Sequence, residues 1–345
     1  MKGRLKSGLD KLSELFPNVT SLLIFIAYMA LCVGQGIFVT ASRKKGENYD
    51  YNTTTVVLFT EITKLFLATG CYLKNGTVKS LIVGFKSNLK VLCLYLVPSF
   101  LYCIYNNLAF VNLSHFDPTT YFILLQLRVV MTGVVFQIIF NKKLSKIQWL
   151  SLFLLTFGCM VQQIDWNYLS DLFGNHDIKN HQFFSLSLHT MCSCFAGVYN
   201  EFLLKDVGAN INIFIQNIFM YLDSILWNLA FVVYQGNGMN IFTAESLAPV
   251  LKPIVIIVIF NNALTGITTS LFLKNLNSIL KTFASALELL FTAVLSWIIF
   301  GIAIRFNTIA AIGIVSYSMY VYSQNPVNNR PKQVEEDEEA LLEEV

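Results

Sequence analysis

The chain has 345 residues, of which 55% are hydrophobic and only 13% are charged, and its formal net charge is +3. Its mean hydropathy of +0.58 is far above that of a soluble domain with a polar surface. The composition therefore excludes an ordinary soluble protein and indicates an integral membrane protein, for which we expect no nucleic-acid partner.

Apolar runs long enough to cross a lipid bilayer follow one another along the chain. A helix needs about 20 mostly apolar residues to cross a hydrocarbon core of about 30 Å. Because lipid offers the backbone no hydrogen-bond partner, each run should be an α-helix, whereas a porin-like barrel would need alternating strands. The sequence thus predicts ten spans: 22–41, 54–73, 91–112, 119–140, 147–164, 184–203, 211–234, 251–273, 279–300 and 306–323.

The distribution of basic residues predicts the orientation. With ten spans both termini lie on one side, and the N-terminal segment 1–21 carries Lys2, Arg4, Lys6 and Lys11, which the positive-inside rule places in the cytoplasm. Residues 22–323 would then form the membrane domain. The acidic segment 324–345 should be a disordered cytoplasmic tail, which either carries a sorting signal or only adds solvating charge.

Glycosylation sequons test that orientation. They begin at Asn18, Asn52, Asn75 and Asn112. Only Asn52 falls in a loop predicted to be luminal, so it is the candidate acceptor.

No familiar catalytic motif is present. The sequence has no phosphate-cradling glycine loop, no HExxH helix and no nucleophile elbow, which argues against an ATP-driven pump or a membrane protease. Its cysteines and histidines are scattered, so we expect no metal site and no cofactor.

Ionisable residues inside the spans are costly and mark functional sites. Glu61 and Lys64 lie three residues apart in the second span, where they can form a local ion pair with a structural or gating role. Arg128 in the fourth span and Lys281 in the ninth have no obvious acidic neighbour in their own helices. Their charges are neutralised either by a bound anion or by other helices, for which the candidates are Glu201, Asp223 and Glu288.

Polar side chains are concentrated in the same spans. Amides and hydroxyls can bind sugar and ribose hydroxyls, tyrosines can stack on a base, and Arg and Lys can bind phosphates. This set of side chains suits a nucleotide-like ligand.

Two segments suggest an internal repeat. In each segment, small residues follow a cation at the fourth and fifth positions after it. The segments are LRVVMTGVVFQIIF (127–140) and LKTFASALELLFTAV (280–294). They lie about half the chain apart, which favours two inverted five-helix repeats. Such repeats are typical of transporters whose site lies near the membrane midplane.

Several longer segments carry a family resemblance. These segments are residues 106–158, TEITK (60–64), AGVYNEFLLK (196–205), QNIFMYLDS (216–224) and residues 269–301. They resemble, in the expected order, the Golgi nucleotide-sugar transporters, the group of the UDP-galactose and CMP-sialic acid carriers. The resemblance implies an all-α fold of ten helices like that of drug/metabolite transporters. It also implies a Golgi location and exchange of a cytosolic nucleotide sugar for a luminal nucleoside monophosphate.

The resemblance also implies a set of ligand-binding residues. They are Tyr102, Asn106, Tyr121, Arg128, Asn217, Tyr221, Asp223, Ser270 and Lys281. Relatives carry Lys at the position of Arg128, which keeps the charge but offers a fork of donors in place of a point charge. Relatives of the sialic-acid type carry Ser at the position of Asp223, and a carboxylate there favours a neutral sugar.

The resulting hypothesis is an antiporter that imports a UDP-sugar, foremost UDP-galactose, in exchange for UMP. Alternatives are transport of UDP-HexNAc, CMP-sialic acid or another metabolite, or a non-transporting membrane scaffold. We expect no enzymatic activity. The expected partners are the two nucleotides and the bilayer, with a homo-oligomer or glycosyltransferases as further candidates.

Overall fold

The structure is a computed structural model that describes residues 15–42, 51–115, 118–164, 180–234, 243, 247–301, 304–327 and 329, and the regular structure within them is helical throughout. Its α-helices are α1 (Val19–Ala41), α2 (Thr53–Leu73), α3 (Val78–Ser87), α4 (Leu89–His115), α5 (Pro118–Leu125), α6 (Arg128–Phe140), α7 (Lys146–Gln163), α8 (Asn180–Phe202), α9 (Ile213–Tyr234), α10 (Pro253–Asn275), α11 (Ser278–Phe300) and α12 (Phe306–Ser323).

The predicted spans coincide with these helices to within a few residues at most boundaries. Among the described residues, seven helical segments are long and apolar enough to cross a membrane, so the protein is an all-helical, multi-pass membrane protein. Three predicted spans, now α7, α8 and α12, fall outside that set. The total of ten spans therefore stays a prediction.

The fourth predicted span is one membrane-length segment, Tyr121–Phe140, with a two-residue turn inside it. The α-helix stops at Leu125 and resumes at Arg128, and the amides of Gln126, Leu127 and Val129 bond to carbonyls only three residues back, at 3.0–3.1 Å. Arg128 is therefore the first residue of α6 and, as predicted, lies inside the fourth span. Discontinuous helices of this kind line binding sites in many transporters.

Further short elements were not predicted, among them a 3-10 turn, Ala248–Leu251, before α10. Residues 78–87, assigned to a polar connection, form the short helix α3, whose N-cap Thr77 and Ser80 bond reciprocally in a capping box. A π-helical turn, Leu203–Val207, continues α8 beyond Phe202. π-Helical turns often occur at functional positions.

The helices form two compact units. Of the described residues, unit 1 contains those within Met1–Leu23, Ile104–Tyr199 and Leu276–Asn329, and unit 2 contains those within Ile24–Cys103 and Asn200–Asn275. Each unit draws on both halves of the chain. If the predicted inverted repeats exist, each repeat contributes helices to both units.

Unit 1 is built around the close pairing of α7 and α12. The Ser318 hydroxyl donates to the Ser151 carbonyl at 2.6 Å. A Cβ atom on Gly158 would lie 2.9 Å from Val315 Cγ2, so the absence of a side chain allows the two helices to approach. Leu152 and Leu155 are fully buried on the same side of α7, which anchors the interior of the unit.

In unit 2, α9 packs against α2 and α10. Their shared core contains Ala68 of α2, Ile218 and Tyr221 of α9, and Ile267 of α10. This core fixes the helices that carry the second group of predicted site residues.

The chain after α12 remains bonded to unit 1. The Gln148 side chain donates to the Asn325 carbonyl at 3.0 Å, and the Asn277 side chain donates to the Val327 carbonyl at 2.9 Å. The first residues of the predicted tail are thus held in place. Residues 1–14 and 330–345, which make up most of the two predicted terminal segments, lie outside the described residues.

Candidate functional site

Unit 1 contains a cavity with about 100 Å³ of room for the centres of water molecules. One water needs about 10–15 Å³ on this measure, so the cavity has room for a group the size of a phosphate. Arg128 and Lys281 both line it. The other lining residues are Gln126, Val129, Thr132, Cys159, Ser193, Cys194, Gly197, Val198, Ser278, Thr282, Ser285, Ala286 and Leu289.

The break between α5 and α6 brings Arg128 to this cavity. The Arg128 carbonyl accepts hydrogen bonds from Thr132 Oγ1 at 2.7 Å and from Cys194 Sγ at 3.2 Å, which fixes the start of α6 against α8. Thr132, the first small residue of the repeated pattern, also lines the cavity. The guanidinium side chain is partly buried.

Lys281 reaches the cavity from the corresponding place in α11. Asn277 caps this helix by accepting a hydrogen bond from the Leu280 amide at 2.7 Å, so Lys281 lies in the first turn. Ser285, four residues later, lines the cavity as Thr132 does after Arg128. The two segments that suggested a repeat therefore converge on one cavity.

The two cations have different positions relative to helix ends. The N-terminal end of a helix carries partial positive charge, which favours anions and disfavours Lys and Arg. Lys281 is the fourth residue of α11, whereas Arg128 follows a turn whose amides are bonded to the preceding carbonyls. Two cations beside one cavity favour the binding of an anion there.

No acidic side chain forms an ion pair with Arg128 among the described residues. Glu288 of α11 interacts electrostatically with Arg128 without such a contact. Glu201, another proposed counter-charge, instead contacts Lys205 Nζ at 2.8 Å, and both side chains are almost completely buried. The sequence made Glu201 a candidate counter-charge for the cavity cations. In the structure it instead pairs with Lys205, four residues later in its own helical segment.

A buried hydrogen-bond network beside Arg128 was missed by sequence reasoning. Tyr121 OH and Asn112 Nδ2 both lie 3.2 Å from Nδ1 of His189, which is fully buried. The Asn112 carbonyl oxygen accepts a hydrogen bond from Ser185 at 2.7 Å. The Tyr121 ring stacks on His189 at 5.8 Å. Tyr121, a predicted ligand residue, is thus held by its own unit, whereas Asn106 of α4 is exposed.

Unit 2 contains the Glu61 and Lys64 pair. Lys64 Nζ lies 2.7 Å from Glu61 Oε1, and their side chains are only 17% and 13% exposed. The ammonium group also lies 5.6 Å from the centre of the Tyr221 ring, within cation–π range. A Cβ atom on Gly266 would lie 2.6 Å from Lys64 Cε, so this glycine leaves room for the lysine stem.

Three predicted ligand residues of α9 are buried, and two of them have unsatisfied polar atoms. Among the described residues, Asn217 Nδ2 and Asp223 Oδ2 have no hydrogen-bond partner, whereas the Tyr221 hydroxyl interacts with the Ser270 side chain. Buried groups of this kind are rare in native structures and often await a ligand or an ion. Ser270 of α10 is buried in the same unit, and Tyr102 of α4 is partly buried.

These three residues do not share one helix face. At about 100° per residue, Tyr221 follows Asn217 by one turn, whereas Asp223 points away from Tyr221. Asp223 lies on the face of Met220 and Trp227, which contacts α4 through the bonds of Ser99 Oγ to the Met220 carbonyl and of Trp227 Nε1 to the Leu96 carbonyl. A single ligand would have to reach both faces to contact all three residues.

The candidate glycosylation site Asn52 is the N-cap of α2. Its side-chain oxygen accepts hydrogen bonds from the amides of Thr54 at 2.9 Å and Thr55 at 3.3 Å. No group of three or more His, Cys, Asp or Glu that could hold a metal ion is found among the described residues.

A sequence model of the nucleotide-sugar transporter family matches residues 18–323. The chain belongs to this family. It is therefore a transporter and not an enzyme. The match includes every described helix and both cations of the cavity, so the family assignment covers the whole candidate site.

Individual relatives show which transporters of the family this chain resembles. The chain is 50% identical to the UDP-galactose transporter senju of Drosophila melanogaster, over 92% of this chain and 90% of that protein. It is 28% identical to CMP-sialic acid transporter 1 of Oryza sativa subsp. japonica, over 89% and 94%. A crystal structure with 11% identity superposes with a TM-score of 0.63 over 89% of this chain and 97% of the other, which supports the fold alone.

Proposed function

We propose that this nucleotide-sugar transporter imports UDP-galactose into the Golgi lumen in exchange for UMP and thereby supplies glycosylation. The observation that carries the proposal is the cavity shared by Arg128 and Lys281. The 50% identity to a UDP-galactose transporter supports galactose as the sugar. In this proposal the protein has ten spans in two inverted repeats, with both termini in the cytoplasm.

The cavity cations would bind the phosphates that the two nucleotides have in common. Arg128 offers a planar fork that can hold two phosphate oxygens, whereas Lys281 offers a compact point charge. The Ser285 hydroxyl lines the same space and can donate to a phosphate oxygen, whereas the Thr132 hydroxyl donates to the Arg128 carbonyl. The phosphates are thus recognised within unit 1.

The two cations of the cavity belong to the same compact unit. Arg128 and Lys281 come from the two predicted repeats, but they lie in one compact unit. Their mutual repulsion therefore acts inside unit 1 and does not by itself separate two rigid halves. A bound phosphate relieves that repulsion.

Exchange follows if the empty carrier changes sides slowly. A ligand shifts a conformational equilibrium only through its different affinity for the two states. When the phosphate leaves, the repulsion between the two cations returns, so the transition is favoured again only when another phosphate ligand binds. UMP, the nucleoside monophosphate expected in the lumen after sugar transfer, would serve for the return step.

Unit 2, taken by itself, carries side chains whose chemistry suits a base and a sugar. Tyr221 offers a hydroxyl near the Glu61 and Lys64 pair, Asn217 and Ser270 offer an amide and a hydroxyl, and Asp223 offers a carboxylate on another face of α9 from Tyr221. A carboxylate can accept hydrogen bonds from the hydroxyls of a neutral hexose, whereas it would repel the acidic sugar of CMP-sialic acid. This difference supports a UDP-hexose.

The test is counterflow transport by the purified full chain in liposomes. Vesicles preloaded with UMP, CMP or GMP would be offered UDP-galactose, UDP-GlcNAc, UDP-GalNAc or CMP-sialic acid. We expect the fastest uptake for UDP-galactose against internal UMP. Preferred uptake of another sugar would contradict the assignment of galactose, and absence of exchange with every pair by folded protein would favour the scaffold alternative.

A further inference from the structure

Helix α3 is an amphipathic element between two membrane spans. Candidate spans end at Leu73 and begin at Leu89, and α3 occupies residues 78–87 between them. Because it connects the same end of two consecutive spans, it must lie at one surface of the membrane.

One face of α3 packs on α9, which belongs to the same unit. The Phe85 ring contacts the Phe219 ring of α9 edge-on at 5.2 Å, and Leu81 packs on the core that contains Tyr221. A Cβ atom on Gly84 would lie 2.7 Å from Ile215 Cδ1. This contact with α9 fixes the rotation of α3 about its axis.

The remaining surface of α3 combines apolar and basic side chains. Val78 and Ile82, one turn apart, are 58% and 49% exposed. Lys79 and Lys86, two turns apart on the adjacent strip, are exposed as well. An apolar edge next to lysines is the arrangement of a helix lying in the membrane interface, where the apolar edge enters the acyl region and the lysines extend to the headgroups.

The charge around α3 has one sign. Exposed Lys74 and Lys90 flank the helix, and the sequence contains no acidic residue between Glu61 and Asp117. Among the described residues, none of these four lysines forms an ion pair. Basic segments beside a membrane attract anionic lipids, and the attraction weakens within a Debye length of the surface.

We propose that α3 is a lipid-binding site that takes the headgroups of anionic phospholipids. Val78 and Ile82 set the depth of the helix in the interface, and Lys79, Lys86, Lys74 and Lys90 bind the phosphate-bearing headgroups. An acidic protein segment would also attract the lysines, but it gives no reason for the apolar edge to lie beside them at the level of two span ends. The site is independent of the nucleotide sugar that the protein carries.

The experiment measures which lipids touch α3. The full-length Ile82→Trp variant is placed in nanodiscs in which part of the lipid is brominated phosphatidylserine or, in parallel, brominated phosphatidylcholine. Bromine quenches tryptophan fluorescence on contact, and the signal of the native tryptophans is subtracted by measuring the unsubstituted chain. A Val83→Trp variant serves as a second reporter if the first fails to fold, because Val83 is 66% exposed.

We expect quenching by both lipids, with brominated phosphatidylserine about twofold more effective at equal mole fraction in 0.1 M salt. The preference should vanish in 1 M salt, where the Debye length falls from about 10 Å to about 3 Å. Lys79→Gln with Lys86→Gln should also remove it. The matched control, Lys143→Gln with Lys146→Gln, removes the same charge from exposed lysines of unit 1 and should leave the preference intact.

Three results would overturn the proposal. Absence of quenching by either lipid would mean that α3 does not touch the bilayer. Equal quenching by the two lipids at 0.1 M salt would mean that the lysines select no headgroup. A preference that persists after both α3 lysines are replaced would assign the selectivity to another surface.

Discussion

Buried cations have different surroundings in the two units. In unit 2, Lys64 and Lys205 each contact a carboxylate three or four residues earlier in their own helical segments, at 2.7 and 2.8 Å. In unit 1, Arg128 borders a cavity and forms no ion pair with a described residue. A cation paired within its helical segment is already neutralised, whereas a cation beside a cavity and without such a pair can bind an anion. Spacing along the chain therefore separates the paired cations of unit 2 from Arg128.

We expect the largest effect when both cations of the cavity are removed. Each charged hydrogen bond contributes about 1.5–3 kcal/mol, so Arg128→Ala with Lys281→Ala should slow exchange by roughly 100-fold or more while the protein stays folded. Arg128→Lys should keep partial activity because the charge remains without the fork. The measurement is UMP-driven exchange of UDP-galactose in liposomes.

The control for that experiment is Lys143→Ala with Lys146→Ala, which removes equal charge from exposed positions of unit 1. It should exchange normally. Unaltered exchange by the cavity double variant would show that the phosphates bind elsewhere.

The next largest effect concerns the paired charges of unit 2. Glu201→Gln leaves the fully buried Lys205 ammonium without its carboxylate, and breaking a buried pair costs about 3–5 kcal/mol. We expect a marked loss of folded protein, measured by thermal melting in detergent. Adding Lys205→Met should restore part of the stability because no uncompensated charge remains. If the single variant melts like the unaltered protein, Glu201 is not the counter-charge that the comparison requires.

The positions of the helices were predictable from the sequence, whereas their interruptions were not. Runs of apolar residues determine which segments enter lipid, and this preference outweighs local propensity. The break at Gln126 and Leu127 involves neither Gly nor Pro, so no local signal marks it. Helix α3 was missed because it has only ten residues and its lysines resemble those of a loop.

Only part of the candidate site was predictable, because contacts between distant segments leave no local signal in the sequence. Composition and the family resemblance identified Arg128 and Lys281, but sequence alone could not show that they share a cavity. The buried pair of Glu201 and Lys205 was detectable from its four-residue spacing. The contacts of His189 with Tyr121 and Asn112 depend on tertiary packing of α4, α5 and α8, for which a single sequence carries no signal.

A carboxylate without a partner offers a third test. Asp223 Oδ2 has no hydrogen-bond partner among the described residues, which makes it the acidic counterpart of Arg128. If it binds sugar hydroxyls, Asp223→Ser should leave UMP binding unchanged and weaken selection of UDP-galactose over other UDP-sugars by about tenfold, the value of one charged hydrogen bond. Competition assays with UMP and a panel of UDP-sugars measure both properties.

The matched variant Asp223→Asn keeps the size of the side chain but removes its charge. It should show an intermediate sugar preference. Joint loss of UMP binding and of folded protein in both variants would assign Asp223 to the contact between α9 and α4 instead of to the ligand.

The smallest effect concerns the start of α2, the helix that carries Glu61 and Lys64. Asn52 satisfies two amides of the first turn, so Asn52→Ala should destabilise the protein by about 1 kcal/mol, the usual value of an N-cap. Asn52→Asp retains the capping oxygen and should melt like the unaltered chain. Both substitutions remove the sequon, so both should abolish any glycan-dependent shift in electrophoretic mobility. Equal melting of the two variants would show that the cap contributes nothing, and a glycan on Asn18 or Asn75 would reverse the predicted orientation of the spans.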